Sequence, residues 1–173
     1  FPVHIKIDSG MRRLGLTPDE VPELIAQLSK LRQLRVRSVF SHLAASEDPS
    51  HDGFTRQQLR VFLHACDSIR EALGYPFLRH ICNSAAISRF PEAHLDMVRL
   101  GIGMYGVGSN QSEQGLLLNV GTLKTRISQL RKLLPGDTVG YGRRGIVKIA
   151  MTVAVIPIGY ADGFSRHLGN GAH

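Results

Sequence analysis

Short apolar segments that close on polar residues alternate with amphipathic helical patterns from Phe1 to about residue 105, and this alternation restricts the fold more than anything else in the chain. In "FPVHIKID", Val3, Ile5 and Ile7 fall at every second position, the period of a strand. In "LTPDEVPELIAQLSKL", Thr17 is the expected N-cap, Pro18 the first helical residue and Glu20 the partner that completes a capping box. Val21, Leu24, Ile25, Leu28 and Leu31 then share one face. "VRSVFSH", residues 36–42, predicts a second strand. A helix over 54–73 carries Leu59, Phe62, Leu63, Cys66, Ile69 and Leu73 on one side and stops at Gly74. "LRHICNS" predicts a third strand, "SAAISRF" a short helix, and "HLDMVRLGIGMYG" a fourth strand with a glycine-rich turn. Strands alternating with helices imply a parallel sheet.

The strands end in Asp8-Ser9, Ser41-His42, Asn83-Ser84 and Arg99. In α/β barrels functional groups gather at those C-terminal ends, and chance would not favour them so consistently. After about residue 108 the pattern changes. "LLLNVGTLKTRISQLRKL", the turn "PGD" and "IVKIAMTVAVIPIG" read as β segments with no helix between them, the start of an all-β domain. The junction is expected in "GSNQSEQG", giving domains 1–110 and 111–173.

Several function classes fall away on composition. The 173 residues are 43% hydrophobic and 20% charged, the balance of a globular protein. No apolar run approaches the ~20 residues of a membrane span, so no membrane partner is expected. Phe1-Pro2-Val3-His4 does not read as a signal peptide, and a chain without initial Met whose apolar pattern starts at once reads as part of a longer protein. Cys66 and Cys82 lie inside predicted elements, as reduced thiols of a cytoplasmic protein do. The net charge of +7 concentrates at Lys124, Arg126, Arg131, Lys132, Arg143, Arg144 and Lys148. Few aromatics accompany them and no nucleic-acid motif is present, so a solvated basic face is expected rather than a nucleic-acid site. The histidines lack metal-ligand spacing.

Each candidate for chemistry has a bland alternative. Gly101 and Gly103 in "MVRLGIGMYG" could cradle a phosphate, yet glycines after strands are common turn residues. Arg99 just inside a strand end needs an acceptor, and Asp96 or Glu92 would serve as structural partners. His42 suits a tuned acid or base, or simply a hydrogen-bond network. "KIDSGMRRLG" sets Lys6 and Asp8 on one strand face before Arg12-Arg13, which is also what a charged surface loop looks like. Taken alone, Tyr160 in "VIPIGYADGF" is a packed tyrosine more often than a base.

The combination is more telling. "HIKIDSGMRRLG", "CNSAA", "VRLGIGMYG", "LLPGDTVGYG" and "VIPIGYADG", in this order, resemble alanine racemase, a pyridoxal-phosphate enzyme of fold type III. "FSHLAASEDPSHDGFTRQQ" and "LRHICNSAAISRFPEAHLDMVRLG" also resemble the racemase half of Mur ligase–alanine racemase fusions. The resemblance implies an eight-stranded (β/α)8 TIM-type barrel followed by a β domain, and a head-to-tail homodimer with active sites at the subunit interface. Arg99 then matches the donor to the cofactor's pyridine nitrogen, and an arginine, which only donates, keeps that nitrogen unprotonated. Gly101 and Ile102 match backbone donors to the phosphate, Ser84 a hydroxyl donor, and Asn83 a neighbouring contact. Arg13 matches an arginine near the phenolic oxygen and the substrate carboxylate, and Lys6 a lysine often carbamylated in the family. Tyr160 matches the second of two catalytic bases, with His42, Arg99 and Arg13 supplying the positive field it needs. Tyr105 and Tyr141 match tyrosines near the site.

Two departures stand out. Arg12 occupies a position where the family commonly has Gly. The Schiff-base lysine of a Lys-Ala-Asn-Ala-Tyr-Gly type motif is missing, the lysines here being Lys6, Lys30, Lys124, Lys132 and Lys148. The expectation is therefore the second half of the barrel, strands five to eight, plus the beginning of the C-terminal β domain, inactive alone. The parent would interconvert L- and D-alanine for peptidoglycan. A non-catalytic pyridoxal-phosphate-binding barrel protein and another fold-type-III racemase or decarboxylase are the rivals.

Overall fold

The computed structural model describes residues 1–168; residues 169–173, the end of the expected β domain, lie outside the described residues. The chain forms two compact units, Phe1–Gly121 and Thr122–His173.

In the first unit, β1 (Pro2–Lys6), β2 (Arg35–Phe40) and β3 (Leu78–His80) form a parallel sheet in that order. They alternate with α1 (Val21–Lys30), α2 (Asp52–Leu73) and α3 (Ser84–Arg89). A turn of 3-10 helix, Pro18–Glu20, leads into α1, and the Glu20 carboxylate accepts from the Thr17 N–H (2.7 Å) and hydroxyl (2.9 Å). The capping box expected at Thr17 and Glu20 is thus present. Helix α2 behaves as its pattern predicts. Leu59, Phe62, Ala65, Cys66 and Ile69 are buried, and Gly74 ends it in the left-handed conformation (φ 68°) with its N–H on Arg70 O.

One face of the sheet carries Ile5, Ile7 and Val39, which join Phe62, Ile69, Ile81 and Phe90 in the core beneath the helices. The other face carries His4, Lys6, Ser38, Phe40 and His80. An irregularity sets this division. Val3 pairs with Val36, but His4 pairs with Ser38, so Arg37 is an extra residue in β2. Because side-chain direction alternates, the extra residue switches the parity of β2 and turns both Val36 and Val39 into the core.

Three expectations are corrected. The fourth strand does not form: residues 97–100 run beside the end of β3 with two separated bonds, Asp96 N–H to Arg79 O and Arg99 N–H to Cys82 O, each 3.2 Å. Isolated bonds do not make a ladder. The third strand stops at His80, because Asn83 caps α3 directly after it. Residues 116–128 hold no strand, and a helical turn, α4 (Gln111–Gln114), precedes them. In the second unit β4 (Gln129–Leu133) pairs antiparallel with β7 (Met151–Val155), and β5 (Thr138–Val139) with β6 (Gly145–Ile146). An α/β portion followed by a β portion is thus present as read. Among the described residues no helix is long and apolar enough to cross a membrane.

The loop after β1 folds back tightly. Asp8 Oδ1 accepts from Gly10 N–H (2.9 Å) and Arg12 N–H (3.0 Å), and Leu16 N–H returns to Lys6 O (2.9 Å). Gly15 (φ 115°) is required at the return, since a Cβ there would lie 2.9 Å from Asp8 N and Lys6 O. Arg12 sits at φ 56°, a left-handed conformation that costs an L-residue ~1–2 kcal/mol. Arg12→Gly should therefore stabilise the protein by about 0.5–1 kcal/mol, after the extra chain entropy of glycine is counted. Urea denaturation checks it, and a loss of stability would contradict the strain argument.

Candidate active site at the strand ends

The C-terminal ends of β1, β2 and β3 are stitched together by short polar contacts. Ser9 Oγ and Ser41 Oγ, both buried, lie 2.8 Å apart. Asn83 Oδ1 accepts from Ala86 N–H (3.1 Å), capping α3, and from Ser46 Oγ (2.7 Å), while its amide donates to Leu43 O (3.4 Å). Gln58, fully buried on α2, accepts from Ala44 N–H (2.9 Å) and donates to His42 O (3.2 Å). These bonds hold the loop after β2 and fix where His42 stands.

Arg99 is the centre of the site. Its Nη2 donates to Ser41 O (2.7 Å), Ile81 O (3.3 Å) and His42 Nδ1 (3.3 Å). Its Nη1 donates to His80 Nδ1 (2.5 Å) and His80 O (3.3 Å). The Phe40 ring lies 5.8 Å from its Cζ. The carboxylates offered as structural partners are engaged elsewhere: Asp96 with Arg79 (3.0 Å) and Glu92 with Arg56 (3.5 Å). Asp96 is held below the usual carboxylate range, chiefly by the Arg79 side chain. Among the described residues the half-buried guanidinium thus keeps its charge against neutral acceptors alone, and burial pushes its pKa down from the usual arginine value.

That charge acts on both histidines. Burial, then Arg99, then Arg13 and Lys6, holds His42 below its ordinary value. Burial, then Arg99 and His4, pushes His80 down to about 4. Lys6 Nζ lies 6.0 Å from the Phe40 ring, and Arg13 is exposed on the loop after β1.

A cradle adjoins the arginine. The N–H groups of Gly101 (2.9 Å) and Gly103 (3.2 Å) both donate to Ser84 Oγ, and the Ile102 N–H has no hydrogen-bond partner among the described residues. A Cβ on Gly103 would stand 2.9 Å from Leu100 Cδ1, so the turn is close-fitting. His42, Asn83, Ser84, Arg99, Gly101 and Ile102 line one pocket of about 480 Å³, with Glu47 and Ser109 on its wall. Six of the residues singled out in the sequence therefore meet. Lys6 and Arg13 stand near enough to act on His42 but do not line that pocket. Tyr160 belongs to the second unit, on the 3-10 turn Tyr160–Asp162, closed by the Gly159 N–H on Asp162 Oδ2 (2.9 Å). Tyr105 and Tyr141 are exposed.

Sequence reasoning missed His80, Gln58, Phe40 and Ser38. Phe40 had a usable signal, since it stands two residues before the recognised strand-end residue His42, whereas His80 stands three before Asn83. Gln58 had none, being a polar residue in a helix.

Parallel β/α units with a backbone N–H cradle beside a half-buried arginine define a class, α/β proteins with a candidate site at their strand ends. The chain belongs to the alanine racemase family: residues 1–109 match its N-terminal domain and residues 120–173 its C-terminal domain. It is 40% identical to the alanine racemase of Synechocystis sp., over 98% of this chain and 46% of the relative. Among solved structures it resembles alanine racemase from Streptomyces coelicolor, with a TM-score of 0.83, 31% identity, and 96% of this chain and 45% of that one covered. The alanine racemase of Bartonella henselae, solved with covalently bound pyridoxal phosphate, matches with a TM-score of 0.75, 31% identity, and 97% and 45% coverage. The chain thus spans less than half the length of the relatives it matches.

The depressed His80 has a consequence for stability. Above its unfolded pKa of ~6.5 it is neutral in both states. As pH falls from there to about 4, only the unfolded chain takes up the proton, so stability declines, by roughly 2–3 kcal/mol. Denaturation at pH 7.5 and 4.5 should show a smaller loss for His80→Gln than for the wild type; equal losses would contradict the assignment.

Proposed function

We propose that the protein containing this chain is an alanine racemase using pyridoxal 5'-phosphate, and that its product D-alanine feeds peptidoglycan synthesis in the cytoplasm. The observation that carries this reading is Arg99, a half-buried, permanently charged donor with neutral acceptors, beside the Ser84, Gly101 and Ile102 cradle. The donor set fits the cofactor. Ser84 Oγ with the Gly101 and Ile102 N–H groups would hold the phosphate, and Asn83 would hold the loop beside it. Arg99 would donate to the pyridine nitrogen and, having no proton to give up, leave it unprotonated. The bound cofactor would supply delocalisation for negative charge at the substrate Cα.

The chain's own residues account for the rest. Racemisation removes a proton from one face of Cα and returns one to the other, which asks for two bases. Tyr160 Oη is assigned to the face that receives L-alanine, in a head-to-tail homodimer where it serves the partner's site. An unperturbed tyrosine has a pKa of ~10; Arg99 and Arg13 would supply the positive field that makes it a base, with His42, kept neutral by burial and those charges, as a hydrogen-bonding neighbour. Arg13 would also orient the substrate carboxylate. Lys6, when carbamylated, would become an anion holding Arg13, and intact mass before and after removal of CO2 tests that. The second base, the cofactor-anchoring lysine, would come from sequence outside these residues, so this chain alone would be inactive. The racemase part of a Mur ligase fusion is one such parent.

A decarboxylase of the same fold type would place an acid at the pyridine nitrogen, and Arg99 speaks against it. A non-catalytic binding barrel would end before the β unit that Thr122–His173 forms.

In the full-length protein, Tyr160→Phe should lower conversion from L-alanine by about 10²–10⁴-fold while exchange of the proton on the D-face persists. Unchanged racemisation from L-alanine would overturn the base assignment. The dimer is tested by light scattering: the full-length protein should have twice the protomer mass, and a monomer would contradict it.

A further inference from the structure

The face of the sheet opposite the core carries an unbroken hydrogen-bond line across three neighbouring strands. His4 Nδ1 on β1 lies 2.7 Å from Ser38 Oγ on β2, and Ser38 Oγ lies 3.2 Å from His80 Nε2 on β3. His80 Nδ1 continues it to Arg99 Nη1 at 2.5 Å, and Arg99 Nη2 to His42 Nδ1 at 3.3 Å. Ser38 is 1% exposed and His80 6% exposed.

The proton positions along this line follow from one fact: a guanidinium only donates. His80 Nδ1 must therefore accept, and a neutral His80 carries its proton on Nε2. That N–H has Ser38 Oγ as its acceptor. The Ser38 hydroxyl keeps its own proton, which it can give to its other neighbour, His4 Nδ1. We infer that Ser38 is a positioning residue for Arg99: by accepting from His80 Nε2–H it supports the tautomer that the guanidinium demands, the one with Nδ1 open to Arg99. The opposite tautomer would set N–H against N–H at the Arg99 contact and displace one of the two side chains. The Phe40 ring, stacked on His80 at 5.1 Å and within 5° of parallel, blocks the escape by ring rotation. The extra residue Arg37 in β2 brings Ser38 opposite His4 in the first place. What Arg99 is held for rests on the function proposed above; the tautomer does not.

Imidazole 15N spectra of the protein test the inference without any turnover. In the wild type His80 should show a pyridine-type Nδ1 and a pyrrole-type Nε2. Ser38→Ala leaves a buried Nε2–H without its acceptor, a loss that shifts the tautomer ratio on the order of tenfold and should average the two signals. Ser38→Thr should restore the wild-type pattern. In full-length protein the same alanine variant should lose about tenfold in kcat, with the KM for alanine little changed, and threonine should recover it. An unaltered His80 pattern in Ser38→Ala, or a threonine variant that behaves like alanine, overturns the inference. Should Ser38→Ala not fold, Ser38→Cys serves, sulfur being a weak acceptor, and is read by the same criteria. A wild-type protein without racemase activity would sink the proposed function and leave the spectra to decide the tautomer.

Discussion

A half-buried guanidinium with no carboxylate partner among the described residues organises the first unit. Arg99 meets carbonyls from the ends of two strands and imidazole nitrogens from two histidines, so it binds the ends of β2 and β3 together without being neutralised. A carboxylate in its place would have satisfied the charge and ended its reach. Neutral acceptors leave the field in force, and both histidines are depressed by it after burial. The Gly101–Gly103 turn follows directly on the arginine, so the same backbone that positions the cation positions the donors of the cradle.

The sheet has two differently made faces, and the core face supports the other. Ile5, Ile7 and Val39 lie under α1 and α2, with Phe62 and Ile69 fully buried against them. The polar and aromatic side chains of the opposite face stand on that rigid layer. Gln58 links the two, a helix residue whose amide fixes the loop carrying His42.

Much of this was legible because it is local. The apolar face of α2, its stop at Gly74 and the polar strand ends are all set within a few residues of sequence. Residues 97–100 read as a strand for the same local reason, and strand formation depends on a repeating neighbour that no local pattern reveals. The meeting of Ser38 with His4 and His80 was illegible on different grounds. Strict alternation would place Val36, Ser38 and Phe40 on one face, whereas the extra residue Arg37 puts Val36 in the core and the other two opposite it. Register across strands decides that, and register is not written in any one strand. Tyr160 differs again, since its surroundings gave no sign of chemistry and only the motifs around it did.

Phe40 shows what such an arrangement asks of an apolar residue. Its ring is stacked on His80 and lies within 6.0 Å of both the Arg99 and Lys6 cations. Its π face is a surface those groups share. Tolerance at this position should therefore follow the quadrupole of the side chain more than its volume. Tyrosine or tryptophan would preserve what leucine would lose, and a hydrophobic site would drift through sequence space under electrostatic selection.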